Sequence, residues 1–534
     1  MTEPLAASDA APASTRDSAG TRPRTPPPAK ALLLALAALL LCLQGARGLW
    51  EPDEGRYSAV AWHMVESGDW FTPHLSAAVP HFTKPPLIYW TLAAGMTLFG
   101  RNEWALRLPG ALAGVLTVLL TLGLARRLAP ADPLLAATIQ ATALLPFVGV
   151  HLVTTDPLLM ASETLAVWGF VAAWWNEPLA GSRATASRSR WALAAMWLGF
   201  ALAFLTKGPP GLLPLLPIVV FAVWSRGARG VLRLFLLGGL AVFVVVAFPW
   251  FLLQLRARPD LLHYLLGSEV QGRLAGAQVR NPGWRGLFTT IVPVVVAGLL
   301  PWSAVAVLSR WRRRARGAAS EIESSAESVA SATASAPDAD KLARRFLWLW
   351  LLLPLLVFCL AQSRQPLYLL PLSVPGSLLA ARALAPRWSW SRRQRAWLAA
   401  WAVVLLALAF AGAALPQGRD SRRFTAAVLR LAPARPSALL FVDRYPRYGA
   451  TVYCRCDVES VQLLEDLVER AGPAYRPLAQ PLAAELTQQR RDALWLVRPQ
   501  SVPAWKAALD RAGWRAQRLG DVDEFAVFAA TPPA

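Results

Sequence analysis

Long apolar stretches separated by short polar loops occupy most of the chain up to residue 415. A helix crosses a bilayer core with about 20 apolar residues, and most of these stretches approach that length. The predicted spans lie at residues 31–50, 105–125, 133–150, 157–175, 191–206, 209–224, 231–252, 287–308, 346–362, 367–384 and 397–415. Residues 87–99 are apolar but short, which favours an interfacial helix. The pattern predicts an all-α polytopic membrane protein with about 11 to 13 transmembrane helices.

Polar segments divide the chain into domains. Residues 1–30 are rich in Ala, Pro, Ser and Thr and lack apolar periodicity, which predicts a disordered cytoplasmic tail. A membrane domain is predicted at 31–415, with a flexible cytoplasmic linker of Ser, Ala and acidic residues at 317–341. After residue 415, short apolar runs alternate with amphipathic helical stretches, which predicts a small soluble α/β domain at 416–534.

The basic residues orient this arrangement in the membrane. The chain has 54 Lys and Arg against 33 Asp and Glu, but the basic residues lie mostly in short blocks between apolar stretches, such as Arg126-Arg127. That placement is typical of cytoplasmic loops and does not indicate nucleic-acid binding. We therefore expect a multi-pass membrane protein, surrounded by membrane lipids. Its N-terminus is expected in the cytoplasm and the C-terminal domain in the periplasm.

The four cysteines carry little information about function. Cys42 and Cys359 fall within apolar stretches and are interpreted as packing residues. Cys454 and Cys456 lie on a predicted strand, where both side chains share one face. In a periplasmic domain they form either a disulfide or two thiols, and the sequence leaves both open.

The first predicted external loop carries the strongest candidate chemistry. It begins Glu51-Pro52-Asp53-Glu54-Gly55-Arg56-Tyr57, directly after an apolar stretch. A carboxylate here, Asp53 above all, could accept a proton from an acceptor hydroxyl. The structural alternative is that these charges only anchor a helix end in water, and for Glu54 that alternative has equal weight.

Further unusual polar residues fall on the same predicted side. Lys84 precedes two prolines near the headgroup region, where it binds a phosphate or extends to the interface. Asp156 opens a span and could simply cap it. Lys207 and Arg364 occupy hairpin tips, against the usual charge bias. Glu269 and Arg273 are four residues apart, so they pair on a helix or contribute to a site.

These motifs, taken in order, resemble a known family. They are Asp53-Glu54-x-Arg56-Tyr57, Ser67-Gly68-Asp69-Trp70, Lys84-Pro85, Phe99-Gly100 with Arg107, Asp156-Pro157, Thr206-Lys207-Gly208, Pro249-Trp250, Glu269-x-x-x-Arg273 and Ser363-Arg364-x-Pro366-x-Tyr368-x-x-Pro371. The sequence resembles C-type glycosyltransferases, in particular the protein mannosyltransferase and lipid A aminoarabinose transferase family. The resemblance covers residues 31–385, and the family's terminal periplasmic domain fits 416–534.

The resemblance implies inverting transfer of a sugar from a polyprenyl-phosphate donor to a lipid, glycan or protein acceptor at the periplasmic face. It implies a catalytic role for Asp53, with Glu54 and Asp156 as further catalytic candidates. The residues expected to bind substrate are Arg56, Tyr57, Lys84, Lys207, Glu269, Arg273, Arg364 and Tyr368. No soluble cofactor is expected, because the donor arrives already activated.

Two departures from the family pattern affect what the resemblance implies. This chain has Phe82-Thr83-Lys84-Pro85 where the motif of aminoarabinose transferases resembles Phe-Glu-Lys-Pro. It has Glu269-Val270 where their motif resembles Glu-His. We therefore expect no essential metal at that place, and the assignment to aminoarabinose is weakened. The alternative functions are transport or flipping of a lipid-linked sugar, which favours charges near the bilayer midplane, and a purely structural membrane protein.

Overall fold

We describe the fold from a computed structural model of the chain. The structure describes residues 26–77, 79–175, 183–235, 237–263, 281–309, 311, 336–415, 417–463 and 480–533. The helices of the first 415 residues are α1 (Ala29–Leu41), α2 (Asp53–Ser67), α3 (Leu87–Phe99), α4 (Glu103–Leu128), α5 (Pro133–Thr142), α6 (Leu144–Val150), α7 (Asp156–Trp174), α8 (Arg183–Lys207), α9 (Leu215–Leu234), α10 (Leu237–Ala257), α11 (Leu261–His263), α12 (Gly283–Gly286), α13 (Val292–Ala297), α14 (Trp302–Ser309), α15 (Ala336–Leu360), α16 (Ser373–Leu384) and α17 (Arg392–Ala414). Short 3₁₀ helices cover Pro209–Leu212, Pro366–Leu372 and Ala385–Arg387, and one π turn covers Leu287–Ile291.

Every predicted span contains a helix, and the predicted membrane fold is confirmed. Among the described residues, eight helices are long and apolar enough to cross a membrane. Two bent pairs bring the number to ten: α5 with α6, bent by 58°, and the helices at Gly283–Ala297 and Trp302–Ser309, bent by 72°. The protein is therefore a multi-span membrane protein, as the hydropathy pattern predicts.

The first predicted span is shorter than expected. This partly explains why the described residues contain eight to ten spans, fewer than the predicted 11 to 13. The helix α1 ends at Leu41, so it has 13 residues and not the predicted 20 of segment 31–50. The chain then turns, with Gln44 and Arg47 buried among its neighbours. A buried arginine needs charged and carbonyl partners, and the turn provides them at the cost of the helix.

Two other predicted segments are the linker and the short apolar segment at 87–99. The predicted linker at 317–341 is wrong at its end, because α15 already begins at Ala336 and its first turn contains Asp338; the residues before 336 lie outside those described. The short apolar segment after Lys84 forms α3, a helix of 13 residues.

The C-terminal region forms a small domain around one sheet, here called the sheet domain (residues 417–463 and 480–533). Its strands are β3 (Ala438–Val442), β4 (Asp457–Gln462), β5 (Gln480–Pro481), β6 (Leu494–Val497), β7 (Arg515–Val522) and β8 (Phe525–Thr531), and its helices are α18 (Ser421–Leu431), α19 (Ala450–Cys454), α20 (Leu482–Thr487) and α21 (Val502–Arg511). The strand order is β5-β4-β3-β6-β8-β7, with β3 parallel to β4 and β6, and β8 antiparallel to β6 and β7. The hairpin β1 (His74–Ser76) and β2 (Val79–Pro80) lies apart, after α2. The predicted α/β domain is therefore confirmed as a mixed sheet flanked by helices.

The two cysteines of this domain are bonded to each other, but the strand prediction for them is wrong. Cys454 ends α19, and Cys456 follows Arg455, whose φ of 53° turns the backbone. The short apolar run around them is buried, and burial alone does not distinguish a strand from a helical turn.

The sheet domain packs directly on α2 and shares a buried apolar cluster with α3. One buried apolar cluster contains Tyr57 and Leu92 from those helices together with Phe424, Leu439 and Val527 from the sheet domain. A common core of this kind fixes the position of α2 relative to the sheet.

Polar contacts reinforce the same interface. The Tyr453 hydroxyl donates to Glu103 Oε1 at 2.7 Å and accepts from the Leu49 N–H at 2.9 Å. Arg422 Nε donates to the same Glu103 oxygen at 2.7 Å. Glu103 lies at the start of α4. These hydrogen bonds therefore attach the sheet domain to the membrane helices close to Leu49, in the segment that leads to Asp53.

Candidate functional site

Asp53 and Arg56 open the helix α2 as an ion pair. Two carboxylates in the first turn favour a helix start here, because they interact well with its dipole. Arg56 Nη2 donates to Asp53 Oδ1 at 2.7 Å. The Asp53 side chain is 36% exposed and that of Arg56 is 20% exposed, so a substrate can reach both.

Glu54, the next residue, points in another direction from the same helix turn and has a different environment. Its side chain is 3% exposed. Arg47 Nη1 donates to Glu54 Oε2 at 2.5 Å, and the Arg107 guanidinium contacts both carboxylate oxygens at 3.2 Å. The backbone N–H groups of Trp50 and Val153 also donate to it. Its predicted catalytic role stays a prediction, while these contacts enclose Glu54 and fit a positioning role.

The electrostatics of Glu54 agree with that role. Burial acts to raise its pKa, but the Arg107 and Arg47 guanidinium groups overcome burial and lower the pKa to about 2. Glu54 therefore holds the chain before α2 and the segment at 153 in fixed positions around Asp53.

Asp156 and Lys207 form a second buried ion pair. Lys207 Nζ donates to Asp156 Oδ1 at 2.5 Å, and each side chain is 8% exposed. The Lys207 ammonium also lies 4.2 Å from the centroid of the Tyr368 ring. Asp156 begins α7 and Lys207 ends α8, so the antiparallel packing of these helices brings the two residues together. The 3₁₀ helix Pro366–Leu372 packs on α7 and adds Tyr368.

Tyr57 is within electrostatic range of both the Asp53–Arg56 pair and the Asp156–Lys207 pair. Burial raises the pKa of Tyr57. The carboxylates of Asp53 and Asp156 act in the same direction, whereas Arg56 and Lys207 oppose it. The Tyr57 hydroxyl is thus within electrostatic range of both pairs, and together they form one site.

Aromatic ring contacts connect the loop that contains Lys84 to Tyr57. The Tyr89 ring lies 6.1 Å from the Tyr57 ring and 6.4 Å from the His81 ring. His81 and Thr83 are hydrogen bonded at 2.6 Å, and Lys84 Nζ donates to the Thr83 carbonyl at 3.0 Å. Lys84 is therefore close in the chain to groups that border the site, although its described hydrogen bond is local.

Arg364 is surrounded by backbone carbonyls, and its predicted donor-binding role stays a prediction. Its guanidinium donates to the carbonyls of Asn281 at 3.3 Å, Gly283 at 2.7 Å and Cys359 at 2.7 Å. The Asn281 and Gly283 carbonyls lie at the start of α12, and the Cys359 carbonyl lies in the last turn of α15, where a carbonyl has no partner within its own helix. Arg364 therefore ties two chain segments together. Glu269 and Arg273 lie outside the described residues.

The residues present do not suggest a bound metal. Within the described part of the chain, no three His, Cys, Asp or Glu side chains cluster as metal ligands do. Because Glu269 is not among those residues, the expectation of a metal-free site stays a prediction.

Sequence reasoning missed Glu51 as a contact between domains. Ser421 Oγ donates to Glu51 Oε1 at 2.6 Å, and the Gly449 N–H donates to the same oxygen at 2.7 Å. Burial raises the pKa of Glu51 to about 7, although these two hydrogen bonds and Arg447 oppose the rise and Glu54 adds to it. The only signal in the sequence was the position of Glu51 in the charged cluster.

The raised pKa predicts a pH dependence of stability. The folded protein holds the Glu51 proton more tightly than the unfolded chain, so this stabilisation is complete below pH 4.5 and is lost as the pH rises to about 7. Glu51→Gln removes the titration, and its unfolding free energy relative to wild type should rise by about 2 to 3 kcal/mol over that range. Melting temperatures of both proteins from pH 4.5 to 7.5 measure the difference. A constant difference across the range would contradict the assignment.

Comparison with known proteins identifies the fold and the family. A family model described as dolichyl-phosphate-mannose-protein mannosyltransferase matches residues 83–252. An undecaprenyl phosphate-alpha-4-amino-4-deoxy-L-arabinose arabinosyl transferase 2 of Pseudomonas fluorescens (strain Pf0-1) is 33% identical over 363 residues, which are 66% of this chain and 58% of the relative. A transferase described in the same terms from Pseudomonas aeruginosa (strain UCBPP-PA14) is 33% identical over 366 residues, 67% of this chain and 59% of the relative. The chain thus matches less than two thirds of the length of these relatives.

A solved structure extends the similarity of fold to nearly the whole chain. The crystal structure of ArnT from Cupriavidus metallidurans bound to undecaprenyl phosphate superposes with a TM-score of 0.71 at 21% identity, covering 94% of this chain and 97% of that one. The fold and the site define a polytopic membrane protein of the C-type glycosyltransferase class. Within that class, the chain belongs to the family of protein mannosyltransferases and aminoarabinose transferases, as the motifs predict.

Proposed function

We propose that this protein transfers a sugar from a polyprenyl-phosphate carrier to the hydroxyl of a lipid acceptor such as lipid A. The observation that carries the proposal is the open Asp53–Arg56 pair and the buried Asp156–Lys207 pair, both within electrostatic range of Tyr57. The names of the relatives support undecaprenyl phosphate as the carrier and 4-amino-4-deoxy-L-arabinose as the first sugar to test.

The proposed reaction is a single displacement at the anomeric carbon of the sugar. The acceptor oxygen forms a bond to that carbon while the bond between the carbon and the phosphate oxygen breaks. Asp53 accepts the proton of the acceptor hydroxyl, and polyprenyl phosphate leaves with the electron pair. One displacement inverts the configuration of the anomeric carbon.

Cations compensate the negative charge that develops on the leaving phosphate. Arg56 is a suitable partner, because its buried Nε has no hydrogen-bond partner among the described residues. Lys84 and Lys207 are the further candidates, and Asp156 and Tyr368 hold Lys207 in place. Fixed positive charge at a leaving group stabilises the transition state more than the ground state.

The proposed orientation places the N-terminus in the cytoplasm of a bacterium and the sheet domain in the periplasm, with the spans in the inner membrane. It is supported by the arginine blocks between spans. With Cys42 and Cys359 replaced by serine, a cysteine at the exposed position of Asp510 should react with a membrane-impermeant maleimide in spheroplasts. Labelling of Asp510→Cys only after lysis would reverse the orientation.

Purified protein in liposomes tests the activity. With undecaprenyl-phosphate-linked aminoarabinose and lipid A, we expect release of undecaprenyl phosphate and a mass increase of the acceptor by one sugar residue. The same assay with a mannosyl donor and with a peptide acceptor tests the other branch of the family.

Two outcomes would reject sugar transfer. One is the absence of carrier phosphate release with every donor and acceptor pair. The other is movement of the intact lipid-linked sugar between leaflets without any change in its mass, which would identify a flippase.

A further inference from the structure

We propose that residues 443–449 of the sheet domain, here called the 443–449 loop, form the acceptor side of the site, and that Tyr445 binds the sugar ring of the acceptor. This inference rests on the proposed sugar transfer and deepens it. It gives the sheet domain a direct part in recognition, since the loop connects β3 to α19.

The 443–449 loop is anchored to the sheet at its beginning. The Asp443 N–H donates to the Val461 carbonyl at 2.9 Å, and Asp443 Oδ1 accepts from the Leu463 N–H at 3.1 Å. The Ser460 hydroxyl donates to the Arg444 carbonyl at 3.0 Å. The loop thus leaves β3 in a fixed direction.

The end of the loop is anchored to the chain that leads into α2. The Gly449 N–H donates to Glu51, which precedes Asp53 by two residues. A Cβ at position 449 would lie 2.7 Å from Ser421 Oγ and 2.9 Å from Glu51 Oε1, so glycine permits this close approach. The 443–449 loop is therefore held against the segment that carries Asp53.

Most side chains of the loop are occupied by the sheet domain itself. Arg447 Nη1 pairs with Asp523 Oδ2 at 2.7 Å, and its guanidinium lies 4.1 Å from the Phe424 ring centroid. Tyr448 is buried, and its ring packs edge-on against Tyr445 at 5.4 Å. These contacts brace the loop and fix the ring of Tyr445.

Tyr445 itself keeps 39% of its surface exposed. Burial of its hydroxyl raises the pKa of Tyr445 to about 12. The Arg56 guanidinium opposes the rise, and the Glu51 and Asp53 carboxylates add to it. The hydroxyl is therefore within electrostatic range of the ion pair that is proposed to act on the acceptor.

The position and chemistry of Tyr445 suit a sugar acceptor. The membrane spans supply the apolar surroundings that the lipid chain of the donor requires, so the acceptor has to approach Asp53 from the side of the sheet domain. A rigid aromatic ring with a polar tip can cover the C–H face of a sugar and hydrogen bond to one of its hydroxyls. Tyr445 provides such a surface within electrostatic range of Asp53 and Arg56, on a loop hydrogen bonded to Glu51.

Steady-state kinetics with lipid A varied at saturating donor test this inference. For Tyr445→Ala we expect the KM for the acceptor to rise by about 10-fold, the loss of one good aromatic contact, with a change of less than about 2-fold in the KM for the donor. Tyr445→Phe should recover most of the loss if the ring carries the binding. Arg444→Ala is the matched control, because Arg444 lies exposed in the same loop and approaches Glu524 only at 3.8 Å.

The outcomes separate the two proposals. An unchanged acceptor KM in Tyr445→Ala, in a preparation where wild type transfers the sugar, would overturn the role of Tyr445 alone. Equal increases in Tyr445→Ala and Arg444→Ala, or a matching rise in the donor KM, would also overturn it, because they indicate a general disturbance of the loop. Absence of transfer by the wild type would reject the proposed function instead. Melting temperatures of both variants confirm that they are folded.

Discussion

Asp53→Asn is expected to lower kcat for sugar transfer by about 100- to 10,000-fold, the range over which a positioned general base contributes. Asparagine has the same shape and can still accept the hydrogen bond from Arg56 that Asp53 accepts at 2.7 Å. It cannot take up a proton from the acceptor hydroxyl, however. The KM for the donor should change much less than kcat, because the phosphate contacts are assigned to cations.

Initial rates of undecaprenyl phosphate release measure this effect, with melting temperatures recorded on the same preparations. Asp510→Asn is the control, since it makes the same chemical change at an exposed position of the sheet domain. Wild-type kcat in Asp53→Asn would remove Asp53 from the mechanism. An equal loss in both variants would show that the assay reports protein quality and not catalysis.

The membrane architecture follows from the sequence because it depends on one physical quantity, the apolar character of each stretch. Lipid requires apolar side chains and internally satisfied backbone, so long apolar stretches become helices wherever they occur. The predicted helix bounds are wrong where a buried polar side chain ends a helix early. Arg47 interrupts the first stretch, and its burial against Glu54 ends α1 early.

The site was only partly predictable for a related reason. Asp53 and Glu54 are neighbours in the sequence, but successive residues on a helix point about 100° apart. One therefore faces the open site, whereas the other is enclosed by Arg47 and Arg107. No pattern in a single sequence tells which of the two faces inward.

Long-range partners mark the limit of sequence reasoning. Asp156 and Lys207 were separate candidates, and only the packing of α7 on α8 makes them an ion pair. Arg364 donates to carbonyls at the ends of two helices, which the apolar pattern does not reveal. Tyr445 comes from a different domain, where nothing in its own loop indicated a role at the membrane.

Glu54→Gln is expected to lower the free energy of unfolding by about 3 to 5 kcal/mol. The change leaves Arg47 and Arg107 with positive charges in a buried place and no carboxylate to balance them. It also replaces one acceptor oxygen by an N–H donor that points at guanidinium groups. Removing one partner from a buried ion pair costs far more than the pair itself contributes.

Glu66→Gln is the matched control, because it makes the same change on the same helix α2. Glu66 pairs with Arg101, but its side chain is 41% exposed, so the expected loss is about 0 to 1 kcal/mol. Unfolding of both variants in detergent, followed by melting temperature, measures the contrast. Similar losses in the two variants would mean that solvent reaches Glu54 and that burial does not decide its role. A large loss in Glu54→Gln alone, partly restored by adding Arg47→Met, would identify the uncompensated charge as the cause, because the second change removes one of the two cations that Glu54 balances.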